Sequence, residues 1–104
     1  MANYVFAYSG GKGVSAVEAE RKEQYAQWGR WFEELGSAIV DGGAAMGTAK
    51  TVGPDGSISD GGSCALTGYS IVSADSLDAA VELAKGCPVL GIDGAVDVYE
   101  VIAM

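Results

Sequence analysis

The chain has 104 residues, with 14 acidic side chains against 6 basic ones, no histidine, and a net charge of −8. That length is one domain, able to bury a core without disulfide or metal staples, while the charge and the lack of a Lys/Arg cluster argue against a phosphate backbone or an anionic membrane surface as partner. No apolar run approaches the ~18 residues of a membrane span and the N-terminal stretch lacks a signal-peptide pattern, so a cytoplasmic protein is expected.

Asn3 to Ser9 alternates, with Tyr4, Phe6 and Tyr8 on one face of a strand and Val5 and Ala7 on the other. The glycine-rich Gly10, Gly11, Lys12, Gly13 follows. Its lysine lies inside the glycines, and no Gly-Lys-Ser/Thr ends the run, so a flexible loop is expected rather than a phosphate cradle. Ser15 and Glu18 have capping-box spacing and predict the start of a long helix. Tyr25, Trp28, Phe32 and Leu35 form its apolar stripe, and Gly36 ends it. Trp28, Trp31 and Phe32 read first as core and interface and second as an aromatic wall for a ligand. Ala38 to Val40 begins a second strand.

From Gly42 to Ser63 the chain is dense in glycine, and Gly53-Pro54-Asp55-Gly56 is a turn, so a long loop with an irregular hairpin is expected. Leu66 to Val72 alternates as a strand, and Ser73 to Ser76 supplies capping side chains. Leu77, Ala80, Val81 and Ala84 recur as one buried helical stripe. Gly86, in a left-handed conformation, and then Pro88 should stop that helix near Lys85. In the last strand Ala95, Tyr99 and Val101 oppose Val96, Val98 and Ile102, with Asp97 and Glu100 as charged exceptions.

The order β-α-β-loop-β-α-β predicts a single α+β domain over residues 1–104: a ferredoxin-like βαββαβ fold with a four-stranded antiparallel sheet and both helices on one face. Neither face of the outer strands is plainly polar, and helices cover only one. A large exposed apolar sheet usually marks an interface, so a homodimer stacked sheet to sheet is expected, a dimeric α+β barrel with Phe6 among its interface residues.

Several strings then carry a resemblance: Trp28-Gly29-Arg30-Trp31-Phe32-Glu33-Glu34-Leu35-Gly36, Val40-Asp41-Gly42-Gly43, Leu66-Thr67-Gly68-Tyr69, Ala74-Asp75-Ser76-Leu77, Ala84-Lys85-Gly86-Cys87-Pro88 and Val98-Tyr99-Glu100. In order and spacing the chain resembles the YCII-related (YciI-like) domain family, a branch of the dimeric α+β barrel superfamily. The resemblance implies a ferredoxin-like homodimer. In some members a His in the first helix and an Asp before the Pro that ends the second form a dyad for elimination on chlorinated aromatics. Here those positions fall near Tyr25 and on Cys87, neither a useful base at neutral pH. The subgroup named for a DGPF string is matched only loosely, because Asp60-Gly61-Gly62 is followed by Ser63-Cys64.

Cys64 and Cys87 lack C-x-x-C spacing and read as reduced thiols. Cys87, near a helix C-terminus, should have its thiolate disfavoured by the dipole, and Tyr25 on the stripe should be core. Asp41, Asp60 and Asp93 are isolated among glycines, so no metal is expected; no cofactor is implied either. The expected function is a homodimeric small-molecule-binding or regulatory domain, with a pocket between sheet and first helix lined by Tyr8, Tyr25, Trp28, Asp41, Tyr69 and Cys87. The alternative is a cofactor-independent enzyme, lyase or dehydrochlorinase-like, with a site rebuilt around Tyr25 and Cys87.

Overall fold

A computed structural model describes residues 2–10, 16–60 and 66–102. The Gly11–Gly13 part of the glycine-rich loop, Ser15 and Cys64 lie outside them. The protein is α+β, with two helices and a four-stranded antiparallel sheet. The elements are β1 (Ala2–Gly10), α1 (Glu18–Leu35), β2 (Ile39–Ala45), β3 (Lys50–Val52), β4 (Ile58–Asp60), β5 (Leu66–Ala74), α2 (Leu77–Ala84) and β6 (Gly94–Glu100). The main sheet runs β2-β5-β1-β6 with every neighbour antiparallel, and β3 pairs with β4 in a separate two-stranded sheet.

Alternation along β1 sends Tyr4, Phe6 and Tyr8 under the helices, where they pack with Trp31 and Leu35 of α1 and Ala80 and Ala84 of α2. Phe6 is fully buried there, so it belongs to the helix side of the sheet and not to the exposed face where an interface was expected. Trp31 joins the two helices: its ring stacks on Phe6 at 6.1 Å and its Nε1–H donates to the Leu83 carbonyl at 3.3 Å. Gly86 serves that contact. Its φ is not positive, and a Cβ there would come within 3.1 Å of Trp31 Nε1, so the residue is small because the indole needs the space, not because the helix ends left-handed.

Helix α1 starts at Glu18 behind Val17, which provides no side-chain cap, rather than one residue after Ser15 as a capping box would require. Gly36 ends it as expected, at φ 54° with its N–H on the Phe32 carbonyl. Ser76 caps α2 by accepting the Ala79 N–H at 3.1 Å, and α2 ends at Ala84. Ala80 and Ala84 are buried, whereas Leu77 and Val81 stay exposed beside β6.

The glycine-dense middle begins as strand and not as loop. Strand β2 runs on through Gly42 and Gly43, with register shifts between Ile39 and Asp41 and between Asp41 and Ala44. Gly43 has φ 80°, and a Cβ on it would collide with the Tyr69 carbonyl, so only glycine lets β2 lie against β5 here. Beyond it, β3 and β4 form the expected hairpin. Gly53 N–H donates to the Ser57 carbonyl at 2.7 Å, Asp55 accepts the Ser57 N–H, and Lys50 pairs with Asp60.

The face without helices is read in two rows across the sheet. Asp41, Ile71, Val5 and Tyr99 are register partners in one, and Ala44, Tyr69, Ala7 and Asp97 in the other. The centre is apolar, and carboxylates sit at two diagonal corners. Asp97 and Glu100 are both exposed on the edge strand β6.

Candidate functional site

A cavity of about 370 Å³ opens between α1 and the β1–β5–β2 part of the sheet, within the range of small-molecule sites. The sequence builds each wall differently. Trp28 and Phe32, one turn apart on α1, hang over it, with Tyr25 at the next turn toward the N-terminus. The bulged Gly42–Ala45 stretch brings backbone to its side. Pro88, Val89 and Ile92, in the 3-10 turn that follows α2, close one end. Gln24 and Gln27 add amides.

Tyr8 and Ser70 line the cavity from the central strands. Trp28 meets the Tyr8 ring edge to face at 5.0 Å and tilts on Phe32 at 5.9 Å. The Tyr8 hydroxyl donates to Ser70 Oγ at 2.8 Å, and Ser70 Oγ donates to the Gly42 carbonyl at 2.8 Å. Ser70 has no exposed surface, so this chain satisfies a hydroxyl that would otherwise be costly to bury. Burial pushes the Tyr8 phenol well above its ordinary value, the Ser70 bond opposes that in part, and the Cys87 thiol adds to it. The phenol is neutral at physiological pH.

Of the six residues expected in a pocket, Tyr8, Tyr25, Trp28 and Tyr69 line this cavity, and Asp41 and Cys87 do not. Tyr69 does so from a position whose side chain, by alternation between Gly68 and Ser70, belongs to the helix-free face. Asp41 is exposed and accepts the Gly43 N–H at 2.8 Å, fastening the bulge. Cys87 is 3 % exposed, its thiol pushed up to about 11 chiefly by burial, with a hydrogen bond from Val89 pulling the other way. Cys87 lies just past the end of α2, its N–H on the Ala84 carbonyl, and precedes the 3-10 turn. Tyr25, expected in the core, is 59 % exposed, since the α1 stripe overhangs the cavity at that turn instead of packed side chains.

Ser70 and the Gly42–Gly43 bulge were not singled out from sequence. The available signal was a serine at an inward position of a strand whose other inward residues are Gly68, Val72 and Ala74. Among the described residues, no group of three His, Cys, Asp or Glu side chains could hold a metal ion, and no helix is long and apolar enough to cross a membrane. No model of a known protein family matches the chain, and no curated protein matches its sequence.

Proposed function

We propose that the protein is a YCII-related domain of ferredoxin-like βαββαβ topology that acts as a homodimer and binds a small organic molecule between α1 and the sheet, without the dyad used for elimination. The observation that carries this reading is the cavity itself: aromatic walls, a hydrogen-bonded polar floor, and no acid or base among its described lining residues. Support for the dimer comes from the helix-free face, where Val5 and Ile71 form an apolar centre and Tyr99 beside them is 57 % exposed, and this is where a second copy would sit.

The alternative site around Tyr25 and Cys87 has no comparable support, because Cys87 is buried outside the cavity that Tyr25 borders. A fragment screen by ligand-observed NMR tests the binding reading. Wild-type protein should bind small aromatic fragments, Ala45→Phe should weaken them by planting a ring at the cavity wall, and a chlorinated hydroxyquinol should show no turnover above buffer. Fragment binding indifferent to Ala45→Phe, or robust turnover, would count against it.

A further inference from the structure

We propose that this cavity selects uncharged planar ligands carrying an N–H or O–H donor, and that the ligand gives that donor to the hydroxyl oxygen of Tyr8. The inference rests on the small-molecule reading of the cavity and adds the class of molecule.

It follows from where three hydroxyl protons go. The Gly42 carbonyl can only accept, so Ser70 must donate to it at 2.8 Å. Ser70 Oγ is then left as the acceptor for Tyr8, which must donate at 2.8 Å. Thr67, also on the lining, donates to the Tyr8 backbone carbonyl at 3.4 Å. The hydroxyl protons of Tyr8, Ser70 and Thr67 are therefore committed within the protein, and the terminal carbonyl fixes the direction of the whole chain; the Tyr25 hydroxyl and the Gln24 and Gln27 amides lie on the α1 side of the lining, so the selection is made at the floor, beside Tyr8. What the Tyr8 hydroxyl has left for a ligand is an oxygen lone pair. A ligand that brings only an acceptor meets another acceptor there and loses a hydrogen bond it had in water.

Charge is excluded on separate grounds. No Asp, Glu, Lys or Arg is among the described lining residues, so neither an anion nor a cation finds a counter-charge in a partly desolvated site. The raised value of the Tyr8 phenol keeps that acceptor neutral. Planarity follows from the walls, where the Trp28 and Phe32 rings face a sheet floor stripped to glycine and alanine at Gly42–Ala45 and Gly68.

Three probes of matched size separate these terms by isothermal titration calorimetry at pH 8: indole, a donor; quinoline, a neutral acceptor; and indole-3-carboxylate, an anion. Wild-type protein should bind indole about three- to tenfold more tightly than quinoline, the worth of one neutral hydrogen bond, and the carboxylate least. Tyr8→Phe should abolish the preference for indole. Ser70→Ala is the sharper variant, because it frees the Tyr8 proton to turn toward the cavity, so quinoline should gain and the ratio should narrow or invert. Circular dichroism checks that both variants fold, and the wild-type ratio stands as a test without them. Quinoline binding as tightly as indole, the carboxylate binding best, or a ratio unmoved in both folded variants would overturn the donor assignment while leaving the cavity a binding site. Failure of all three probes, together with an empty fragment screen, would remove the small-molecule reading as well.

Discussion

Cys87 shows how one buried side chain couples to pH. Its ordinary value of 9.0 is pushed up to about 11 in the folded chain, so below pH 9 both folded and unfolded chains hold the proton and stability is undiminished. Between pH 9 and pH 11 only the unfolded chain releases it, and stability falls across that window by up to about 2–3 kcal/mol before levelling off. Thermal melts in a Cys64→Ser background should decline from pH 9 to pH 10, and Cys87→Ala, though less stable at pH 7 by on the order of 1 kcal/mol, should be flatter over that interval. The same burial should leave the thiol slow toward alkylating reagents at pH 7. Rapid alkylation with a melting temperature indifferent to both pH and substitution would refute the buried-thiol account.

At the scale of elements, the span and cap of helix α2 were legible because those signals are local, whereas the reason for Gly86 at its far end, the Trp31 indole, was not. Three candidate capping side chains, Ser73, Asp75 and Ser76, precede it, and the structure assigns the cap to Ser76, at 3.1 Å from the Ala79 N–H. Ser76→Ala should remove about 1 kcal/mol and lower the melting temperature by roughly 4–8 °C. Ser73→Ala, one turn earlier at the end of β5, should change it little, and equal losses from both would show that the cap is shared. The β3–β4 hairpin was legible for the same reason, since Pro54 and Gly56 specify its turn within four residues. The cavity was less so. Its aromatic half was visible in the spacing of Tyr25, Trp28 and Phe32, but the course of β2 through Gly42 and Gly43 depends on how closely the Tyr69 carbonyl approaches. The Tyr8–Ser70–Gly42 chain joins residues 62 and 28 positions apart. Such contacts leave no periodic mark. Tyr25 was misplaced because a helical stripe records which residues face the sheet, not whether the sheet side there is filled.

For the whole molecule, the strand order and the bare sheet face are shared consequences of two helices lying on one side. The principal extents of 44 × 41 × 19 Å describe a thin slab, one helix layer on one sheet layer. Multi-angle light scattering at micromolar concentration should give about twice the 10.6 kDa chain mass. Tyr99→Asp, on an edge strand where a folded protomer tolerates charge, and Ile71→Asp, at the centre of the bare face, should both shift the protein toward monomer. A wild-type protein that runs as a stable monomer would reject the sheet-to-sheet dimer, and a dimer untouched by either substitution would place its interface elsewhere.

The two tryptophans differ in a way that gives the protein its own optical reporters. Trp31 is sealed at 3 % exposure between Phe6 and the Leu83 carbonyl, whereas Trp28 is only half-buried and borders the cavity. Emission from Trp31 follows the integrity of the core, and emission from Trp28 responds to whatever enters beside Tyr8. Trp28→Phe and Trp31→Phe variants therefore divide one spectrum into two channels, the first reading unfolding and the second occupancy, without an attached dye.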